Sequence, residues 1–148
     1  MNLRIERVDQ TNWRQVTALS VSLNQKNFIE SNTYSILEAH YIADWYPVGL
    51  YSDDSLVGFA MYGCYENNSV WLDRLMIDQN YQGQGFGERF LKYLIEHLKN
   101  NFKIKNILLS FTPSNQVAKI FYEKKGFSNT NEIDENGELI YSYNCSEV

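Results

Sequence analysis

The residues best suited to chemistry in this sequence lie in one short stretch, Tyr81-Gln82-Gly83-Gln84-Gly85-Phe86-Gly87. Glycines at alternate positions can take φ > 0 and let a ligand approach the main chain closely. The stretch opens an apolar-periodic segment, and the first turn of a helix offers unpaired N–H groups and the positive end of its dipole. A diphosphate can settle there without help from net charge. Two familiar phosphate motifs are absent. A Rossmann fingerprint needs a third glycine where Glu88 stands, and a P-loop needs Gly-Lys-Ser/Thr. A glycine-rich turn with no ligand fits the same spacing equally well.

Charge is distributed unevenly along the chain. Between Gln15 and Asp78, Lys26 and Arg74 face eight acids, among them Glu30, Glu38 and Asp73. Between Gln84 and Lys125, eight bases face only Glu88, Glu96 and Glu123. Such polarity can hold an anionic ligand on one segment and a cationic one on the other, although solvated helix faces account for the same counts. The net charge of −5 argues against general binding of nucleic acid or an anionic membrane. The uncharged apolar run Leu56 to Tyr65 is too short to span a bilayer. Charges in MNLRIERVDQ stand where a secretory peptide needs an apolar run. Cys64 and Cys145 lack metal or redox spacing, which reads as reduced thiols in a cytoplasmic protein. His40 and His97 have no second ligand at metal spacing. Trp13, Trp45 and Trp71 read as core or rim aromatics rather than a ligand cage.

The 148 residues suit one domain, 1–148, with 44% hydrophobic and 15% aromatic residues to build a core. Leu3 to Glu6 alternates as a half-buried strand. Asp9 or Thr11 can cap a helix carrying Trp13, Val16 and Leu19, and a second short helix is expected from Ser35 to Tyr41. Pro47 to Tyr51 and Leu56 to Tyr65 read as strands joined by Ser52-Asp53-Asp54-Ser55, with Asn67-Asn68 as the next turn. Val70 to Ile77 reads as a fourth strand, with Asp73, Leu75 and Ile77 on one face and Leu72, Arg74 and Met76 on the other. Phe86, Phe90, Leu94 and Leu98, with Leu91 and Ile95, form a helical stripe supported by Glu88 and Lys92 at i,i+4. Ile107 to Phe111 reads as a central strand covered on both faces. Ser114-Asn115 starts a helix with Val117, Ile120 and Phe121 inward, stopped by Gly126. A hairpin around Asp134 to Gly137 ends the pattern, giving a mixed α/β sheet in which strands pass directly into helices.

Gln82-x-x-Gly85-x-Gly87, placed after a strand and opening a helix, resembles the pyrophosphate signature of the GNAT acetyltransferases. Asn115-x-x-Ala118-x-x-Phe121-Tyr122-x-x-x-Gly126-Phe127 resembles that superfamily's second acetyl-CoA motif at the expected distance. Asp73-Arg74-Leu75-Met76-Ile77-Asp78 running into Tyr81-Gln82 is similar to the bacterial spermine/spermidine acetyltransferase branch. So is the early run Gln25-Lys26-Asn27-Phe28 with Ser35-Ile36-Leu37-Glu38-Ala39. The resemblance implies an α+β fold: a mixed, mostly antiparallel sheet of six to seven strands with about four helices, splayed between strands 4 and 5. It implies acetyl-CoA as donor co-substrate, no metal, a small cationic amine as acceptor, and a homodimer as a family-level expectation. Other acceptors on the same fold (an aminoglycoside, an amino acid, a protein N-terminus) remain open, as does a non-catalytic acyl-CoA-binding module.

Acetyl transfer to an amine needs a neutral amine, a polarised carbonyl and a proton for the leaving thiolate. Neutralising a lysine-like amine of pKa near 10.4 at pH 7 costs about 4–5 kcal/mol, and a carboxylate can take that proton. By resemblance Asp73 is the acid that meets the amine; the alternative is an Asp paired with a base. The resemblance also implies that a backbone N–H in the Leu75–Met76–Ile77 segment polarises the carbonyl. Tyr122 is the candidate general acid, protonated at pH 7. Gln82, Gly83, Gln84, Gly85, Phe86 and Gly87 are expected at the diphosphate, with Asn115 and Ala118 along the pantetheine arm. Glu38 and Glu30 can meet the distal cations of a polyamine, or be plain exposed helix acids.

Overall fold

The computed structural model describes residues 2–21, 31–42 and 44–145. Glu30 and the run Gln25 to Phe28 lie outside the described residues. The described chain forms β1 (Leu3–Arg7), α1 (Trp13–Ala18), α2 (Asn32–Tyr41), β2 (Trp45–Ser52), β3 (Ser55–Glu66) and β4 (Ser69–Ile77). A 3-10 turn at Gln79–Tyr81 leads to α3 (Phe86–Asn101), β5 (Asn106–Phe111), α4 (Gln116–Lys124), β6 (Phe127–Ile133) and β7 (Leu139–Asn144). No helix among the described residues is long and apolar enough to cross a membrane.

The seven strands form one sheet in the order β1-β2-β3-β4-β5-β7-β6. The first four are an antiparallel meander. Asn67 and Asn68, at φ 51° and 63°, make the tight β3–β4 turn that only such residues or glycine accept readily. Strand β5 runs parallel to β4, which requires a crossover, and α3 supplies it. The parallel pairing is brief: only Ser69 to Trp71 on β4 face Asn106 to Leu108 on β5. Beyond it the strands part, as expected from the resemblance, while β5 stays paired to β7 as far as Phe111↔Leu139.

A β-bulge lies where the strands part. Met61 pairs with Arg74 and Tyr62 with Leu72, so Asp73 is an extra residue on β4 with no partner across β3. Bulges bend a strand and increase its local twist. This one also corrects the simple alternation expected for the strand: Leu72 lies on the same face as Leu75 and Ile77, packed with α3, whereas Met76 joins the opposite core.

The two faces of the sheet carry separate cores. On one, α3 buries Phe86, Phe90, Leu91, Leu94, Ile95 and Leu98 against Val48, Leu50, Ala60, Leu72 and Ile107. Each such side chain contributes about 1.5–3 kcal/mol. On the other, Val16 of α1 meets Phe59, Met61 and Met76. Glu88 does not support α3 through Lys92; it pairs with Lys125 just past α4. Helix α1 is preceded by Asn12, whose side chain ties Arg7 O to Asp9 N, while Asp9 holds Thr11 rather than a helix amide. Helix α2 starts a turn earlier than expected because Ser31 accepts from Tyr34 N at 3.1 Å. Strand β5 buries Ile107, Leu109 and Phe111, leaving Leu108 and Ser110 half-exposed, so one of its faces is less covered than expected. On α4, Val117 and Ile120 are 73% and 54% exposed, and the residues facing the core are Ala118, Phe121 and Tyr122.

Candidate active site

The parting of β4 and β5 opens a cleft of about 680 Å³, within the usual range for a small-molecule site. Its walls come from β4, the glycine loop, the end of β5 and α4.

At one end lies the glycine loop. Gly85 is the N-cap of α3 in the left-handed region (φ 81°), and Gly83 has φ 78°. A Cβ built on Gly83 would meet nothing within 4 Å. A Cβ on Gly85 would meet only Arg89 Nε, at 4.0 Å, so neither glycine is packed tightly, which fits a cradle for a ligand. Arg89 orients the loop. Its guanidinium donates to Gln84 O at 3.1 Å and Gly85 O at 3.4 Å, and its own amide bonds Gly85 O at 3.2 Å. In a trans peptide the N–H points opposite the carbonyl, so the amides of Gly85 and Phe86 turn away from Arg89. The first turn of α3 leaves the amides of Phe86, Gly87 and Glu88 without helical acceptors. Gly83, Gly85, Phe86 and Gly87 line the cleft; Gln84 does not. Gln82 lines it too, while its side chain donates to Ile77 O at 2.9 Å and so closes the end of β4.

Along the wall, the N–H of Asp78 donates to Val57 O of β3 at 2.8 Å. Main-chain groups alternate sides along a strand, so those of Arg74 and Met76 face β3 and those of Leu75 and Ile77 face the parted edge. A Cβ on Gly58 of β3 would lie 2.4 Å from Met76 O, in accord with that assignment. Leu75 thus presents its N–H and C=O, and Ile77 its N–H, where β5 supplies no ladder, while Ile77 O is taken by Gln82. Met76 turns its side chain into the far core.

From α4, Asn115 caps its own helix, with Oδ1 accepting from Ala118 N at 3.1 Å. Asn115 and Ala118 both line the cleft, and the Asn115 amide group remains available as a donor. Tyr122 is held by ring contacts with Phe111, Phe121 and Phe127, at centroid distances of 6.1, 5.1 and 5.5 Å. Its hydroxyl has no hydrogen-bond partner among the described residues and borders the cleft. Burial pushes its pKa up to about 12, so it stays protonated.

At the other end is Asp73, its side chain 21% exposed and paired with Arg74. Burial raises its pKa, Arg74 opposes that, and Glu38, Glu138 and Asp134 raise it further. Glu38 does not line the cleft; it reaches the site through Arg74 at 3.3 Å. Three residues that sequence reasoning missed complete this end. Arg74 is one of two bases in an acidic segment, and Ser110 interrupts the apolar run of β5. Ser110 donates to Glu138 at 2.8 Å, which brings an acid from the last hairpin to the mouth. The cleft can therefore grip an anionic group at the loop and meet a cation at the mouth.

Residues 12–127 match the Acetyltransferase (GNAT) family. The spermine/spermidine N(1)-acetyltransferase of Bacillus subtilis (strain 168) is 41% identical over 147 residues, covering 95% of this chain and 97% of the relative. Among solved structures, the PaiA N-acetyltransferase of Thermoplasma acidophilum in complex with coenzyme A superposes with a TM-score of 0.70 at 20% identity, covering 97% of this chain and 99% of that one. AAC(6')-Ib in complex with paromomycin and acetyl-CoA gives 0.80 at 15% identity, covering 98% and 94%. The fold, the two motifs and these likenesses agree: the chain belongs to the GNAT acetyltransferase family, in the branch of the bacterial spermine/spermidine acetyltransferases.

Proposed function

We propose that this chain transfers the acetyl group of acetyl-CoA to a primary amine of a polyamine of the spermidine/spermine class, as a single-domain cytoplasmic enzyme. The observation that carries the reading is the parted β4–β5 cleft, with main-chain donors at one end and carboxylates at the other. The Bacillus subtilis relative, a spermine/spermidine N(1)-acetyltransferase, supports the choice of acceptor.

Bound acetyl-CoA supplies an acetyl thioester. The amides of Gly83, Gly85, Phe86 and Gly87, with Gln82 and Gln84 beside them, hold the diphosphate, and α3's dipole favours its charge. The parted edge at Leu75 and Ile77 bonds the pantetheine arm as a missing strand would, opposite Asn115 and Ala118. One of those two amides also faces the acetyl oxygen, where such a donor is worth roughly 2.7–4 kcal/mol. Asp73 takes one proton from the acceptor ammonium, directly or through water, and the neutral amine attacks; Tyr122 gives its proton to the departing thiolate and recovers one, through water, from the nitrogen as the amide forms. Glu38 and Glu138 draw the remaining ammonium groups of the acceptor. An amino acid would bring its own carboxylate to this acidic mouth, which disfavours it.

Release of free thiol from acetyl-CoA, measured against spermine, spermidine, aminoglycosides and amino acids, tests the proposal. Turnover with the polyamines is expected. Turnover confined to another amine overturns the acceptor, and coenzyme binding without turnover on any amine overturns catalysis.

A further inference from the structure

We propose that Arg74 is a positioning residue of the acceptor site: it fixes the Asp73 carboxylate at the mouth of the cleft and supplies the positive charge that offsets the acids around it. The inference rests on the polyamine acetyltransferase reading above.

Arg74 follows the bulge directly and lines the cleft beside Asp73, and its guanidinium reaches across to α2; its side chain is 14% exposed. There Nε donates to Ser35 Oγ at 3.0 Å and one terminal nitrogen to Glu38 Oε1 at 3.3 Å. The other terminal nitrogen engages the Asp73 carboxylate and also donates to Asp73 O at 3.2 Å. All three guanidinium nitrogens are committed, two to α2 and one to Asp73. The guanidinium is planar and rigid, so anchoring it on α2 sets where the third nitrogen holds the Asp73 carboxylate. A lysine ammonium keeps the charge but cannot reproduce the fork.

The electrostatics give this geometry a consequence. Glu38 faces Asp73 from α2, Asp134 and Glu138 from the turn between β6 and β7, and the Cys64 thiol from β3. Burial and the three acids all favour the protonated carboxyl, and Arg74 is the group that opposes them. Without Arg74, Asp73 would hold a proton at pH values where the reaction needs it to accept one.

The experiment follows the Asp73 carboxyl by 13C NMR titration and kcat/KM for spermidine against pH, in the wild type and in Arg74→Met, Arg74→Lys and Glu38→Gln. In Arg74→Met the Asp73 midpoint and the acid limb of kcat/KM should move up together. The loss at pH 6 should be on the order of tenfold or more, bounded above by the ~10²–10⁴ that a positioned base supplies, and should shrink as pH rises. KM for acetyl-CoA should not change. Arg74→Lys should restore the midpoint but not KM for spermidine, since charge returns without the fork. Glu38→Gln should move the midpoint down. An unmoved midpoint in Arg74→Met, or a loss of activity equal at every pH, overturns the proposal. If Arg74→Met does not fold, a midpoint that stays put in Glu38→Gln overturns it. A wild type that never acetylates polyamines defeats the functional reading, while the NMR titration still decides the role of Arg74.

Discussion

Replacing Tyr122 with phenylalanine removes one oxygen and keeps the ring contacts with Phe111, Phe121 and Phe127. The hydroxyl has no protein partner among the described residues, so no internal hydrogen bond is lost. Folding stability should therefore change by less than about 1 kcal/mol. The catalytic loss should be much larger. A positioned proton donor contributes about 10²–10⁴-fold, which is about 2.7–5.4 kcal/mol at 1.36 kcal/mol per decade. The structure points to the lower end of that range. A phenol at about 12 is a weaker acid than a thiol of pKa near 8.5, so in water the transfer runs uphill. It becomes favourable only where the thiolate suffers the same loss of solvation that raised Tyr122. A kcat lowered about 10²-fold, measured by free-thiol release, is the expected result. The dissociation constant for acetyl-CoA by calorimetry should stay within a factor of about 2–3, and Tm within about 2–4 °C. An unchanged kcat would refute the reasoning and leave Tyr122 as an aromatic wall.

Three further perturbations test other links. Gly85→Val places a β-branched residue at φ 81°, where the built Cβ comes no nearer than 4.0 Å to Arg89 Nε. The free protein should stay folded at a cost of about 1–2 kcal/mol. Calorimetry should show coenzyme A affinity lost, and retained affinity counts against the loop. Leu94→Ala, at a fully buried position on α3, should cost about 2–5 kcal/mol in urea unfolding; a cost under about 1 kcal/mol contradicts the assigned core. Tyr141 donates to Glu123 at 2.8 Å, and burial together with that acid pushes its pKa from 10.0 up to about 12. The folded state holds this proton more tightly than the unfolded one. Its contribution is complete below pH 10 and lost as pH rises to about 12. Tyr141→Phe should flatten the fall in stability over that window, and an equally steep fall in the variant contradicts the assignment.

Local signals made much of this molecule legible from sequence. The stripe Phe86, Phe90, Leu91, Leu94, Ile95 and Leu98 specifies α3 because six apolar residues at helical spacing have one way to face a sheet. Asn67-Asn68 marks its turn for the same kind of local reason. What stayed hidden depends on partners far along the chain. Nothing around Asp73 announces a bulge, since the mismatch exists only against Met61 and Tyr62 of β3. Val117 and Ile120 share α4's apolar character with Phe121, but which arc meets the core depends on where β6 and β7 place the helix. The Arg74 network needs Ser35 and Glu38 of α2, and Glu138 reaches the mouth only because β7 inserts between β5 and β6. Asn115 was legible as a helix start, and it caps α4 while lining the cleft.

The extra residue on β4 has a consequence for how this architecture could be unmade. Strike Asp73 from the chain and Val70, Leu72, Leu75 and Ile77 fall into unbroken every-other-residue succession on the side they already occupy. The shortened strand would keep those side chains on the α3 side and lose the interruption opposite Met61 and Tyr62, with the shift between Gly63 and Glu66 remaining. It would also lose the extra bend that carries it away from β5, leaving the two parallel strands free to zip shut. The same core can thus be drawn around a sealed sheet or an open one, and a single supernumerary residue separates them.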